Sequence, residues 1–279
     1  MRKIRQISPI STSLIAVLLL SIAAPAMATT YCPRVLHRAT RLVVVTVPTM
    51  DATSAKMRTF TRKSPSATWA PQSRAETAVV GAQGIAWGHP YASYAKRGEP
   101  IKKEGDQRSP AGLYRLGTTF GFAKDERKGH LQLRPGAHLC VHDPKSKLYG
   151  RIVGKDKAGA KTDGEDMGTF PLYKRGILVD YAPRRRAKAG SCIFVHIWGG
   201  EGVGTAGCVA MPEERVAHLQ EWTEGRHAVL AIVSEDTMAR FGRCLPSTSV
   251  SAHKGPVVLP QRKPESPETQ SGRRASLGR

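Results

Sequence analysis

The chain has 279 residues, of which 40% are hydrophobic and only 6% aromatic, and it carries a formal charge of +21. That length and apolar content suffice for one large domain or two small ones with a real core, and the abundance of Gly and Pro favours strands and loops. Beyond the N-terminus no run of about 18 apolar residues occurs, which excludes a permanent membrane-spanning helix.

In chain order, residues 1–28 read as a secretory signal: Arg2, Lys3 and Arg5 precede the apolar run "LIAVLLLSIAA", and Ala26-Met27-Ala28 forms an A-x-A cleavage site. The mature chain is expected to start near Thr29 and to be exported, to the periplasm, the cell envelope or the medium. Thr30 and Tyr31, in place of small residues, argue against a lipid anchor at Cys32. The signal supplies three positive charges and no negative one, so +18 remains on the mature chain. An exported protein rarely meets nucleic acid, and none is expected here. The polyanions it would meet are wall polymers and anionic lipid headgroups, with a merely solvated basic surface as the plainer alternative.

The segments "RLVVVTV", "TAVVGA", "AGLYRLG", "KLYGRIV", "GILVDY", "SCIFVHIW" and "HAVLAIV" are apolar, strand-length and bounded by Gly, Pro and polar clusters. One helix is predicted, from about Pro212 to Glu224: Pro212 suits a first-turn position, Glu213 and Glu214 favour the positive helix start, and Val216, Leu219 and Trp222 follow at helical spacing. The expectation is a mainly β domain over residues 29–246, a β-sandwich or barrel with one principal helix. "RRRAKAG", Arg184–Gly190, reads as an exposed loop, and residues 247–279 as a disordered basic tail rich in Ser and Pro.

The densest chemical signal is "GSCIFVHIWGGEGVGTAGCVAMPEERV", Gly190–Val216. A strand from Cys192 to Trp198 would deliver His196, a glycine-rich loop would reverse the chain, and Thr205-Ala206-Gly207-Cys208 would lead to the helix. A thiol near a helix start and beside an imidazole would have its thiolate favoured, as a nucleophile requires. The N–H groups of Gly207 and Cys208 could hold the oxyanion of a tetrahedral intermediate. Five cysteines in an exported chain leave one thiol over once the others pair. Spacing alone does not settle catalysis, because a cysteine twelve residues after a histidine is common.

These residues resemble the L,D-transpeptidase catalytic-domain family, in a divergent T-A-G-C-x-A-M form. The family signature of a strand-borne His, a Gly-rich loop and S/T-x-G-C corresponds to His196, Gly199–Gly204 and Thr205-Ala206-Gly207-Cys208. Upstream, "KKEGDQRSPAGLYRLGTTFG", Lys102–Gly121, is similar to the family's G-D-x-x-[ST]-P-x-G loop and following strand. "CVHDPKSKLYGRIV" and "GILVDY" also resemble one branch, so the likeness covers most of Leu42–Val233.

The resemblance implies a cysteine acyl-transferase that acts on peptidoglycan stem peptides and needs no cofactor. Cys208 would be the nucleophile and His196 the proton acceptor and donor. Ile197 would orient the imidazole through its carbonyl. The donor is a tetrapeptide stem, and the acceptor is the amine of another stem. Ser109, Arg108, Tyr114 and Trp198 are candidate substrate contacts by family position. Ala206 and Ala210 stand where many members carry a polar residue and an arginine. The acceptor is therefore open between an amine and water, the latter giving an L,D-carboxypeptidase or a crosslink-cleaving amidase. A catalytically silent wall-binding protein on the same fold is the alternative from another class. With Cys208 set aside, Cys32, Cys140, Cys192 and Cys244 allow three pairings, of which Cys32 with Cys244 and Cys140 with Cys192 is preferred.

The same sequence admits three rival readings. Gly202-Val-Gly204-Thr-Ala-Gly207 matches G-x-G-x-x-G, but without the surrounding βαβ pattern that a dinucleotide site requires. His138, Cys140 and His142 alternate and, with His130, could form a metal site, although no two-histidine zinc motif accompanies them; no metal is expected. Trp87, Trp198 and Trp222 could stack on sugars, core packing being the more ordinary role.

Overall fold

The computed structural model describes residues 32–181 and 188–246. The predicted signal segment, most of the basic loop at 184–190 and the predicted basic tail from 247 lie outside the described residues. The strands are β1 (Arg41–Val47), β2 (Ser54–Thr61), β3 (Ala70–Pro71), β4 (Glu76–Val79), β5 (Ile85–Trp87), β6 (Ser109–Gly121) and β7 (Leu131–Gln132). They continue with β8 (His138–Val141), β9 (Ile152–Gly154), β10 (Gly164–Asp166), β11 (Arg175–Val179), β12 (Phe194–Ile197), β13 (Val209–Met211) and β14 (Ala228–Ser234). The helices are α1 (Lys155–Ala158), α2 (Glu213–Thr223) and α3 (Glu235–Met238), and short 3-10 turns complete the described elements.

Eight strands close a ring in the order β1, β14, β6, β11, β12, β13, β4, β2 and back to β1. Two joints are parallel, β1 with β14 and β12 with β13, and the remainder are antiparallel. Closure removes the open edges that a sheet of this size would otherwise present. The strands β10, β8 and β9 form a separate small sheet.

The sequence pattern explains the layout. "RLVVVTV" and "AVLAIVS" are almost continuously apolar, and β1 and β14 are buried along nearly their whole length. Strands enclosed on both faces lose the usual alternation. By contrast β2 reads "SAKMRTFT", and its first half alternates between exposed Ser54 and Lys56 and buried Ala55 and Met57. Burying each Val, Leu or Ile side chain is worth about 1.5–3 kcal/mol, so these strands carry much of the core.

Aromatic rings fill one end of the main core: Trp87, Tyr91, Tyr94 and Phe241 meet with centroids 4.9–6.2 Å apart. Trp87 is fully buried and its indole donates to Glu99 Oε2 at 2.8 Å, so it is a core residue and not a sugar platform. A second, smaller cluster packs Phe120, Leu133, Met167, Tyr173 and Phe194 around Cys140 and Cys208. Helix α2 buries Val216, Leu219, Gln220 and Thr223. The Gln220 amide donates to the carbonyls of Phe120 and Gly176, 3.0 and 2.9 Å away, tying the helix to β6 and β11.

Four expectations need correction. The run "KLYGRIV" is a strand only from Ile152; Leu148–Gly150 turn, with the Gly150 N–H donating to Val141 O at 2.7 Å. The His196 strand starts at Phe194, not Cys192, because Cys192 has φ 54° and leaves the extended region. The glycine-rich loop does not reverse the chain: β12 and β13 run parallel, so the loop is a crossover that returns to the same end of the sheet. The thiol is not at a helix start, because β13 lies between Cys208 and α2.

Disulfides join Cys32 to Cys244 and Cys140 to Cys192, leaving Cys208 as the free cysteine. The first spans 212 residues, and in chain-entropy terms its closure stabilises the fold by about 5 kcal/mol. Unfolded without reductant, the mature protein should titrate one thiol, rising to five after reduction. The double substitution Cys32→Ser and Cys244→Ser should lower the thermal midpoint by well over ten degrees, read by circular dichroism.

Candidate active site

Strand register brings the chemistry together. Val195 pairs with Val209 and His196 with Ala210, so Cys208, one residue before Val209, lies level with Phe194. Side chains alternate along a strand, and Cys208, Phe194 and His196 therefore share one face, with the histidine two residues, roughly 6.6 Å, farther along. Cys208 is 6% exposed and His196 4% exposed. The thiol accepts the Phe194 N–H at 3.3 Å and lies 3.5 Å from the Cys192 carbonyl. His196 Nδ1 is 2.7 Å from Ile197 O. A carbonyl only accepts, so that contact fixes the proton on Nδ1 and leaves Nε2 as the basic nitrogen. Tyr173 and Phe170 stand edge-on to the imidazole, with ring centroids 5.3 and 6.3 Å away.

Burial sets the protonation states. It pushes the Cys208 thiol up to about 12, against the pull of the Phe194 N–H; Glu165 adds to the rise and Lys102 opposes it. Burial also lowers His196 to about 4, with the Ile197 contact acting the other way. The resting site thus holds a neutral thiol and a neutral imidazole, not an ion pair. No helix dipole relieves this: α2 starts five residues beyond Cys208, roughly 15 Å of strand, and a helix terminus acts only over its first turn. Glu165 is itself raised by burial, and its Oε2 accepts the Tyr173 hydroxyl at 2.9 Å.

The other sequence candidates take different positions. Thr205 Oγ1 accepts the Gly207 N–H at 3.1 Å and donates to Cys208 O at 2.7 Å, locking the turn. The Gly207 N–H is therefore already engaged, and the Cys208 N–H remains as the candidate oxyanion donor of the two. Ser109 is fully buried: its hydroxyl donates to Cys208 O at 2.9 Å and accepts the Gly81 N–H at 3.0 Å. It positions the Cys208 backbone and, being fully buried, is not available as a substrate contact. Arg108 is spent on Met50 O, Ile85 O and Asp51. Tyr114 lies in the core, donating to Ala111 O at 2.8 Å and packed against Tyr91 and Tyr181, and the cleft it borders, with Pro90 and His227, includes neither Cys208 nor His196. Trp198 is half-buried and follows β12, its N–H donating to Met211 O. The alternating His138, Cys140 and His142 form no metal site, since Cys140 is bonded to Cys192, and no cluster of three metal-ligating side chains occurs among the described residues. Trp222 is half-buried beneath Arg41, whose guanidinium lies 4.9 Å from its ring.

Lys102, Glu165, Phe170 and Tyr173 were not singled out from the sequence. Lys102 opens the "KKEGD" motif. The other three lie on the approach to β11, and no local pattern marks them.

No family model matches the chain, and no curated protein matches it. Among solved structures, the helical cell shape determining protein Pgp2 from Campylobacter jejuni is 16% identical over 69% of this chain and 47% of its own, with a TM-score of 0.35. Its K307A mutant is 13% identical over 72% and 56%, also with a TM-score of 0.35. Bd1075 from Bdellovibrio bacteriovorus is 15% identical over 73% and 53%, with a TM-score of 0.36. The chain spans about half the length of these structures.

Two measurements follow. Ser109→Ala leaves the buried Gly81 N–H unpaired and removes one of the two hydroxyls that donate to Cys208 O, and should cost about 1–3 kcal/mol in urea unfolding. His196 is held near 4 against 6.5 unfolded, so its contribution to stability is complete above pH 6.5 and is lost as the pH falls through about 4. Unfolding at pH 4.5 compared with pH 7.5 should show a loss on the order of 2–3 kcal/mol from this group, absent in His196→Gln.

Proposed function

We propose that this protein is an exported cysteine acyl-transferase that acts on peptidoglycan stem peptides, with Cys208 as nucleophile and His196 as the proton carrier. The observation that carries the reading is the strand-imposed placement of the one unpaired cysteine on the face of a histidine whose Nδ1 is held by Ile197 O. The resemblance of Thr205-Ala206-Gly207-Cys208 and the Lys102–Gly121 segment to L,D-transpeptidases supports the substrate class.

In this reading the substrate peptide displaces water from the site and brings its carbonyl carbon to Cys208 Sγ. His196 Nε2 takes the thiol proton as sulfur attacks, which avoids a free thiolate in a site where burial disfavours charge. The Cys208 N–H supports the oxyanion. Collapse of the tetrahedral intermediate breaks the C–N bond, and the imidazolium returns its proton to the departing D-alanine amine. An acceptor amine then attacks the thioester and gives its proton to His196. The new amide forms as the thiol is restored. Tyr173 and Phe170, which wall the imidazole, restrict it to one orientation.

Incubation with purified muropeptides, followed by chromatographic separation and mass spectrometry, should yield crosslinked dimers. Cys208→Ala and His196→Ala should each lower turnover by at least about 10³-fold while keeping the fold. Full activity in either variant would overturn the mechanism, and products shortened by one residue without dimers would assign water as the acceptor.

A further inference from the structure

We propose that Lys102 is the fixed positive charge that stabilises negative charge on Cys208 during attack, its ammonium being lodged for that purpose between Gly190 and Gly207. The inference rests on Cys208 being the nucleophile.

Lys102 is 4% exposed, and lysine is almost never buried to this degree unless its charge is answered. Its ammonium donates to Lys103 O at 2.8 Å and to the Asp106 carboxylate. Asp106 also accepts the Lys103 N–H at 2.7 Å and the Arg108 N–H at 2.9 Å. The carboxylate alone thus already organises the loop, and a buried cation is not needed to hold it.

The location of the ammonium gives it a second use. A Cβ built on Gly190 would lie 3.1 Å from Lys102 Nζ and 2.8 Å from Cε, and one built on Gly207 would lie 3.7 Å from Nζ. Both glycines have positive φ, 92° and 148°. A side chain at 190 would drive the lysine out, and Gly207 is the residue directly before the nucleophile. The ammonium therefore sits under the turn that presents Cys208, inside a region where water does not screen it.

The remaining charged and titratable groups around the thiol work against ionisation or are neutral. Glu165, bonded to Tyr173, disfavours the thiolate, and His196 is uncharged at rest. Glu104 is engaged by the Tyr149 and Ser191 hydroxyls. Among the described residues, Lys102 is the cation that draws the thiol downward.

The test is the pH dependence of Cys208 alkylation by iodoacetamide in the oxidised mature protein, followed by mass spectrometry, with melting curves for each variant. Lys102→Met should react about tenfold more slowly at pH 8, its profile displaced to higher pH, while Lys102→Arg keeps a profile near the native one. Asp106→Asn leaves the ammonium without its counter-charge and should displace the profile to lower pH; a mere loop staple predicts no such reversal of sign. A folded Lys102→Met protein with the native profile would overturn the proposal. Should Lys102→Met fail to fold, Asp106→Asn decides: a downward displacement supports the proposal and an unchanged profile sinks it. Native protein that resists alkylation at every pH would defeat the nucleophile reading itself, and this inference with it.

Discussion

The parallel pairing of β12 with β13 is the constraint on which the site depends. A parallel joint puts residues of two strands level and on one face, and it requires the chain to travel back outside the sheet between them. Here that return is the glycine-rich segment from Trp198 to Cys208, anchored midway where Thr205 exchanges backbone hydrogen bonds with Val80 and Ala82. Ser109, at the start of β6, then ties Cys208 O to the Gly81 N–H. Cys208 is thus held by three elements distant in sequence, and the closed barrel fixes all three.

Burial dominates the electrostatics that result. Dipoles and nearby charges adjust the thiol, but removal from water sets the direction for both Cys208 and His196. A preformed thiolate–imidazolium pair would be costly in such a place, and the proposed mechanism, in which the proton is handed over during attack, avoids separated charge in the resting state. Glu165 with Tyr173 and Lys102 with Asp106 are groups of opposite effect that bias this balance.

Much of this was legible in the chain itself. β1 has the bounds of the apolar run Arg41–Val47, and α2 falls one residue inside each predicted end, because Pro212 and Glu224 serve as its caps. Periodicity and capping are local, and local signals survive in a sequence. The reversal expected after His196 was wrong because a Gly-rich loop looks the same whether it turns a hairpin or makes a crossover; only the partner strand decides. β2 went unremarked although Ala55 and Met57 alternate with Ser54 and Lys56, since Lys and Arg on its outer face mask the pattern. The roles of Ser109 and Tyr114 required knowing that one hydroxyl reaches Cys208 O, 99 residues away, and the other stays inside the core.

The Cys140–Cys192 disulfide lies in the same apolar cluster as the free thiol, and Cys192 O is 3.5 Å from Cys208 Sγ. Such an arrangement invites a wrong bridge during oxidative folding, because a thiolate attacks any disulfide within reach. Burial holds folded Cys208 almost wholly in the un-ionised thiol form at pH 7. The reluctance of the buried thiol to ionise therefore also guards the fidelity of cysteine pairing once the barrel has closed.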